Sequence, residues 1–177
     1  MSDKNRLWIG GEPVEGENGT YEVVNPATEG VVGIAPEASA GDALRAAASA
    51  AEALKNWSKT SPDERANLLN KAADILEARQ KELFALVQAE TGSTTMMTRT
   101  AQVAGTIARL RRYARGAHEP TTIPLGPAPN WPGGPDGMGG GITTAMGARR
   151  PVGVVAAITS YNVPMNNVAG KIGPALA

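Results

Sequence analysis

No cysteine occurs among the 177 residues. That excludes disulfides, thiolate metal sites and any cysteine nucleophile within the chain. Histidine is almost missing too: His118 stands alone, with no carboxylate or second ligand at a recognisable spacing, and reads as a loop residue rather than a metal ligand or catalytic base. Aromatic residues make up only 4% of the chain, so the core has to be built from Ala, Val, Leu and Ile. Seventeen basic and seventeen acidic residues cancel, which removes any electrostatic reason to expect nucleic acid or an anionic membrane as a partner. No apolar run is long enough to span a membrane. The polar start, Met1 to Arg6, is not followed by the apolar stretch of a secretory signal, so a soluble, cytoplasmic protein is the expectation.

What is present reads first as short antiparallel strands. Leu7-Trp8-Ile9 and Glu12-Pro13-Val14 flank Gly10-Gly11, a dipeptide that supplies the positive φ angles of a two-residue hairpin turn. Gly16 to Gly19 makes another turn. Tyr21 to Val24 reads as a strand ending at Asn25-Pro26, with Gly30 to Ala35 as its partner.

Helices follow. Ser39 can cap the first, with Asp42 placed favourably against the helix dipole and an Ala-rich body from Ala43 to Trp57. Ser61, Pro62 and Glu64 form a capping-box start for the second. Leu69, Ala72, Ala73, Leu76, Leu83 and Val87 recur at helical spacing after it, and Thr91-Gly92 ends it. The stripe of Leu68, Leu69, Ile75, Leu76, Phe84 and Leu86 reads as core-facing rather than as a partner surface. A third helix is predicted over Thr94 to Arg115. Its Arg109, Arg111, Arg112 and Arg115 read as a solvated face near a carboxyl terminus rather than as a phosphate patch.

From Glu119 to Gly147 the composition shifts to Pro and Gly, with Pro120, Pro124, Pro127, Pro129, Pro132 and Pro135, then Gly133-Gly134 and Gly139-Gly140-Gly141. A linker is one reading. No Gly-x-Gly-x-x-Gly lies between a strand and a helix and no Gly-Lys-Ser/Thr occurs, so the tract is not a phosphate loop.

The last stretch reads as strand, loop, helix. Val152 to Ile158 is a short apolar run with β-branched residues, as in a parallel strand buried on both faces. Thr159-Ser160-Tyr161-Asn162 interrupts it with hydrogen-bonding groups. Pro164 opens a helix carrying Met165, Val168, Ala169, Ile172, Ala175 and Leu176 at helical spacing. A loop at the carboxyl end of such a strand is where open α/β sheets place ligands. The Asn162 carboxamide can cap the turn before Pro164, or it can donate to a developing oxyanion at any pH near neutral.

Pro151-Val-Gly-Val-Val-x-x-Ile158-Thr-x-Tyr161-Asn162-x-Pro164, followed by Lys171-Ile-Gly-Pro-Ala-Leu-Ala, resembles the first catalytic segment of the NAD(P)-dependent aldehyde dehydrogenases. Trp8-Ile9-Gly10-Gly11 and Val24-Asn25-Pro26-Ala27-Thr28 resemble the opening of the same family. The chain departs from the commonest form of the family in having Ser160-Tyr161 for Pro-Trp and Val163-Pro164-Met165 for Phe-Pro-Leu. A hydroxyl at Ser160 can add a hydrogen bond there.

The resemblance implies an α/β fold: an incomplete Rossmann-type cofactor domain with β hairpins at its amino terminus, helices flanking the sheet and a small β extension for oligomerisation. It implies residues 1–118 and 151–177 as parts of the cofactor domain and 119–150 as that extension, with Thr122-Ile123-Pro124 and Ile142 to Met146 as its strands. By the same resemblance Asn162 is the oxyanion-hole donor, and Ile158, Thr159, Ser160 and Tyr161 form a wall beside the nicotinamide ribose of NAD or NADP. Lys171 falls on a position assigned in some members to a proton or charge relay. Read from the residues alone, it is equally a helical lysine with a wet ammonium. The similarity corresponds to roughly the first third of such an enzyme, without the nucleophilic cysteine and the general-base glutamate. The expectation is therefore an amino-terminal portion of an aldehyde-oxidising homodimer or homotetramer, inactive alone. The competing reading is a non-catalytic module that binds a full-length relative.

Overall fold

The computed structural model describes residues 6–129 and 141–177, which fall into two compact units, 6–118 with 153–177 and 119–129 with 141–152. Pro132, Pro135 and the paired glycines at 133–134 and 139–140 lie outside the described residues.

The first unit opens with the β1 (Leu7–Ile9) and β2 (Glu12–Val14) hairpin, in which Leu7 faces Val14 and Ile9 faces Glu12. Gly10 and Gly11 turn it with φ of 66° and 84°, the left-handed pair that matches the twist of the flanking strands. β3 (Thr20–Val24) and β4 (Val31–Pro36) pair next, with a register shift between Val23 and Val24. The α1 helix (Ala40–Trp57) starts with a capping box: the Ser39 hydroxyl accepts from the Asp42 backbone N–H at 3.0 Å, and the Asp42 carboxylate accepts from the Ser39 N–H at 2.8 Å. That carboxylate also accepts from the Glu17 N–H at 3.0 Å and pairs with Arg45, which bonds Glu17 as well. Asp42 thereby ties the β2–β3 connection to the helix start. Two backbone donors aimed at one carboxylate, Ser39 first and Glu17 second, hold its pKa below the usual range.

Ser61 and Glu64 cap α2 (Pro62–Ala78) in the same way. One continuous helix to Thr91 was the expectation, but the run breaks at Arg79, whose backbone leaves the helical region, and resumes as α3 (Gln80–Thr91). Gly92 closes α3 in the left-handed region. The predicted third helix is present as three pieces: α4 (Thr95–Met97), a π-helical segment (Thr98–Ala104) and α5 (Gly105–Gly116). A π register widens the turn. It brings Thr98 and Gln102 to full burial, where Gln102 donates to Ser93 Oγ at 3.2 Å while its Oε1 has no partner among the described residues.

Helix α5 lies between α2 and α6 (Pro164–Leu176). Ala66, Leu69 and Ala73 of α2 and Ile107, Leu110 and Ala114 of α5 form the core with Val103, Ala117 and Ala169. As composition requires, the core is aliphatic and rich in alanine, which allows close helix approach. Gly173 faces the Tyr113 ring and Gly170 faces the Arg109 guanidinium, so that a side chain at either glycine requires its neighbour to move.

The second unit is the antiparallel hairpin of β5 (Thr122–Pro129) and β6 (Ile142–Ala148), the two strands expected of the extension, with a register shift between Leu125 and Ala128.

Three expectations need correction. Val152 to Ile158 forms no strand, and Val152 and Ile158 are 89% and 86% exposed. A central parallel strand needs neighbours, and the described residues hold only three antiparallel pairs. Leu68, Ala72 and Ile75 of α2 are exposed, because α5 covers one face of α2 and not the next, and Leu86 of α3 is exposed as well. Arg109 and Arg111 are half-buried at helix contacts, Arg109 donating to the Asn166 carbonyl at 3.0 Å and Arg111 pairing with Asp74 and Glu77. Only Arg112 and Arg115 fit the solvated face. His118 lies in the turn that follows α5, where the Asp63 carboxylate, from the start of α2, comes 3.7 Å from its Nδ1.

Candidate active site

Residues 153–163 lead into α6 without helix or strand. Gly153 turns the chain at φ 98°, close to the Leu54 side chain of α1. Beyond it Val154 and Val155 line an apolar groove of about 510 Å³, together with Leu54 and Trp57 of α1 and Lys171 and Ile172 of α6. Lys171 is exposed, and its ammonium makes no ion pair among the described residues.

The polar part of the loop is organised by three side chains. Asn167, in the first turns of α6, donates from Nδ2 to Ser160 Oγ at 2.6 Å. The Ser160 hydroxyl donates to Asn162 Oδ1 at 2.7 Å. The Asn162 NH2 group has no acceptor among the described residues, and the residue is exposed. Asn162 does not cap the helix: Val163 occupies that position, and no side chain bonds the first-turn amides. The rigid base of the loop is α6 itself, where the Asn167 N–H bonds the Val163 carbonyl at 3.0 Å and Arg109 holds the Asn166 carbonyl.

The residues singled out from sequence are thus partly assembled. Ser160 and Asn162 are joined by a hydrogen bond, and Thr159 beside them is half-buried. Ile158 and Tyr161 project outward, 86% and 91% exposed. Lys171 belongs to the groove, and no hydrogen bond links it to Asn162. Asn167 was missed. Its signal was faint: an amide one helical turn beyond Pro164, seven residues from a serine that itself departs from the commoner motif. Among the described residues no cluster of His, Asp or Glu is arranged to hold a metal ion, and no helix is long and apolar enough to cross a membrane.

The chain superposes on the betaine aldehyde dehydrogenase of Staphylococcus aureus, solved in complex with NAD+, with a TM-score of 0.81 and 28% identity, over 98% of this chain and 33% of that one. The architecture of the chain thus matches about a third of that dehydrogenase. The chain is 32% identical to the NADP/NAD-dependent aldehyde dehydrogenase PuuC of Escherichia coli over 100% of this chain and 34% of the relative. To the 3-sulfolactaldehyde dehydrogenase of Priestia aryabhattai it is 37% identical over 88% of this chain and 31% of the relative. The sequence model of the aldehyde dehydrogenase family matches residues 14–177. The chain belongs to the aldehyde dehydrogenase family, and it spans about a third of the length of these relatives.

Proposed function

We propose that this chain supplies the oxyanion-binding side and the nicotinamide-side wall of an active site that oxidises an aldehyde to a carboxylic acid. The observation that carries this is the Asn162 carboxamide: its oxygen is engaged by Ser160, its NH2 group is unspent, and it stands in the loop that resembles the family's first catalytic segment. When a thiolate supplied from outside these 177 residues adds to the aldehyde carbon, the carbonyl oxygen takes up negative charge. The Asn162 N–H groups donate to that oxygen as the charge develops, and being neutral they do so without titrating.

NAD or NADP, when bound, supplies the acceptor for the hydride that leaves the same carbon. Ile158 to Tyr161 suit its nicotinamide-ribose side, since this backbone is in no helix or strand and the Ile158 and Tyr161 side chains lie open. Lys171, exposed at the groove, is assigned the proton or charge relay position. The β5–β6 hairpin is assigned to contacts between copies in a homodimer or homotetramer, residues 1–118 with 151–177 to the cofactor domain, and the enzyme to the cytoplasm. A thiolate nucleophile is indispensable to this chemistry, so the 177 residues alone turn over no aldehyde.

The test is steady-state kinetics on the chain joined to the segments that carry the nucleophile and base. Asn162→Ala should lower turnover by about 10²–10³ and leave cofactor affinity nearly unchanged. Asn162→Asp should be at least as damaging, because it sets a negative charge beside the forming oxyanion. A fully active Asn162→Asp enzyme would refute the role.

A further inference from the structure

We propose that Ser160 and Asn167 are positioning residues, a two-bond relay that fixes which end of the Asn162 carboxamide faces the reacting oxygen. The inference rests on the oxyanion role of Asn162 given above. A carboxamide has two orientations related by a flip, and they differ in function: one presents NH2 donors, the other an oxygen that would repel a developing oxyanion. Something has to choose between them. Asn162 is exposed, so packing does not.

The relay does. Asn167 Nδ2 fills one lone pair of Ser160 Oγ at 2.6 Å, and the single Ser160 proton is directed at Asn162 Oδ1, 2.7 Å away. Only the oxygen end of the Asn162 amide can accept that proton, which leaves the NH2 end outward. The backbone that carries the relay is rigid, because the Asn167 backbone N–H bonds the Val163 carbonyl in the first turn of α6 and Arg109 grips the adjoining Asn166 carbonyl. Successive bonds in one direction also polarise one another, so an Asn162 oxygen that accepts makes its own N–H groups better donors. Proline, the commoner residue at position 160 in the family, has no hydroxyl to donate. The Ser160 hydroxyl is therefore what makes the relay possible.

Side-chain amide exchange in the 15N-labelled 177-residue chain reads the relay without any activity. One Asn167 amide proton should exchange more slowly than both Asn162 protons, and Ser160→Ala should abolish that difference. Protection at Asn162 with none at Asn167 would mean the opposite polarity and overturn the proposal, as would protection at neither. In the completed enzyme Ser160→Ala should lower kcat on the order of 10-fold, less than the ~10²–10³ lost with the donor itself, with cofactor KM unchanged. Ser160→Thr, which keeps the hydroxyl, should restore the rate, and adding Ser160→Ala to Asn162→Ala should cost nothing further. If Asn162→Ala is crippled and Ser160→Ala is not, the positioning role is wrong while the oxyanion role stands. If Asn162→Ala is itself silent, both fall, even where the exchange experiment finds the relay.

Discussion

Gly173 lies so close to Tyr113 that a methyl group added to it would sit 2.3 Å from the ring Cδ2. This contact, with Gly170 against Arg109 one turn earlier, sets how near α6 can come to α5. Gly173→Ala has to push the ring or the helix aside, in a packed helix contact where overpacking costs about 1–3 kcal/mol. Gly170→Ala meets only the far end of a flexible arginine and should cost less. Urea denaturation of the two variants should rank them in that order, and equal midpoints would show that α6 is free to shift.

Asp42 should contribute to the acid dependence of stability, together with Glu17 and Glu64. Its folded pKa is depressed, first by the Ser39 backbone N–H and then by that of Glu17, while Glu17 and Glu64 are depressed by their serine partners. The unfolded chain binds more protons than the folded one in this range, so stability rises with pH. The contribution is complete above the ordinary carboxylate pKa of about 4 and is lost as pH falls through the lower folded values. Asp42→Asn should lower the thermal midpoint at neutral pH and flatten its acid dependence. An unchanged acid slope would count against the assignment.

How much of this was legible depended on how local the cause was. The capping boxes at Ser39 and Ser61 and the Gly10-Gly11 turn are decided within four residues of chain, and all three are where the sequence put them. The break at Arg79 and the π segment from Thr98 are not so decided. The π register buries Gln102 beside Ser93, nine residues away. Arg109 reads as a surface cation until α6 arrives from 57 residues further on. Val152 to Ile158 has the composition of a buried strand, but burial is supplied by neighbours rather than composition. At the candidate site Asn162 and Ser160 were legible from the motif, whereas the Asn167 bond needs the loop to fold back on its own helix.

Gln102 offers a stability gain. Its side chain is fully buried, with one hydrogen bond to Ser93 and an Oε1 that finds no partner among the described residues. Leu in its place gives up a bond worth about 0.5–1.5 kcal/mol and removes a desolvation cost of about 1–3 kcal/mol. Ser93 keeps its 2.7 Å bond with Thr91. Gln102→Leu should therefore be neutral or stabilising by roughly 1 kcal/mol, and a clear loss on chemical denaturation would mean that the amide oxygen is satisfied in solution.

The isolated chain should hold NAD+ or NADP+ only weakly. Ile158 to Tyr161 offer one wall to half of a dinucleotide, too little to offset the loss of translational and rotational freedom on association. Titration calorimetry should detect no micromolar site, and finding one would mean that the cofactor is gripped elsewhere on these residues.

The bond from Arg109 to Asn166 also sets an order of events during synthesis. At about 5–20 residues per second, the 57 residues between them take a ribosome roughly 3–11 s to add. For that interval α5 has α2 available to pack against, but its Arg109 and Tyr113 side still lacks α6. The β5–β6 hairpin emerges inside the same window, and its strands are adjacent in sequence and can close at once. The nascent chain thus pairs a finished hairpin with an unfinished helical core, and that open face is where a chaperone would have something to hold.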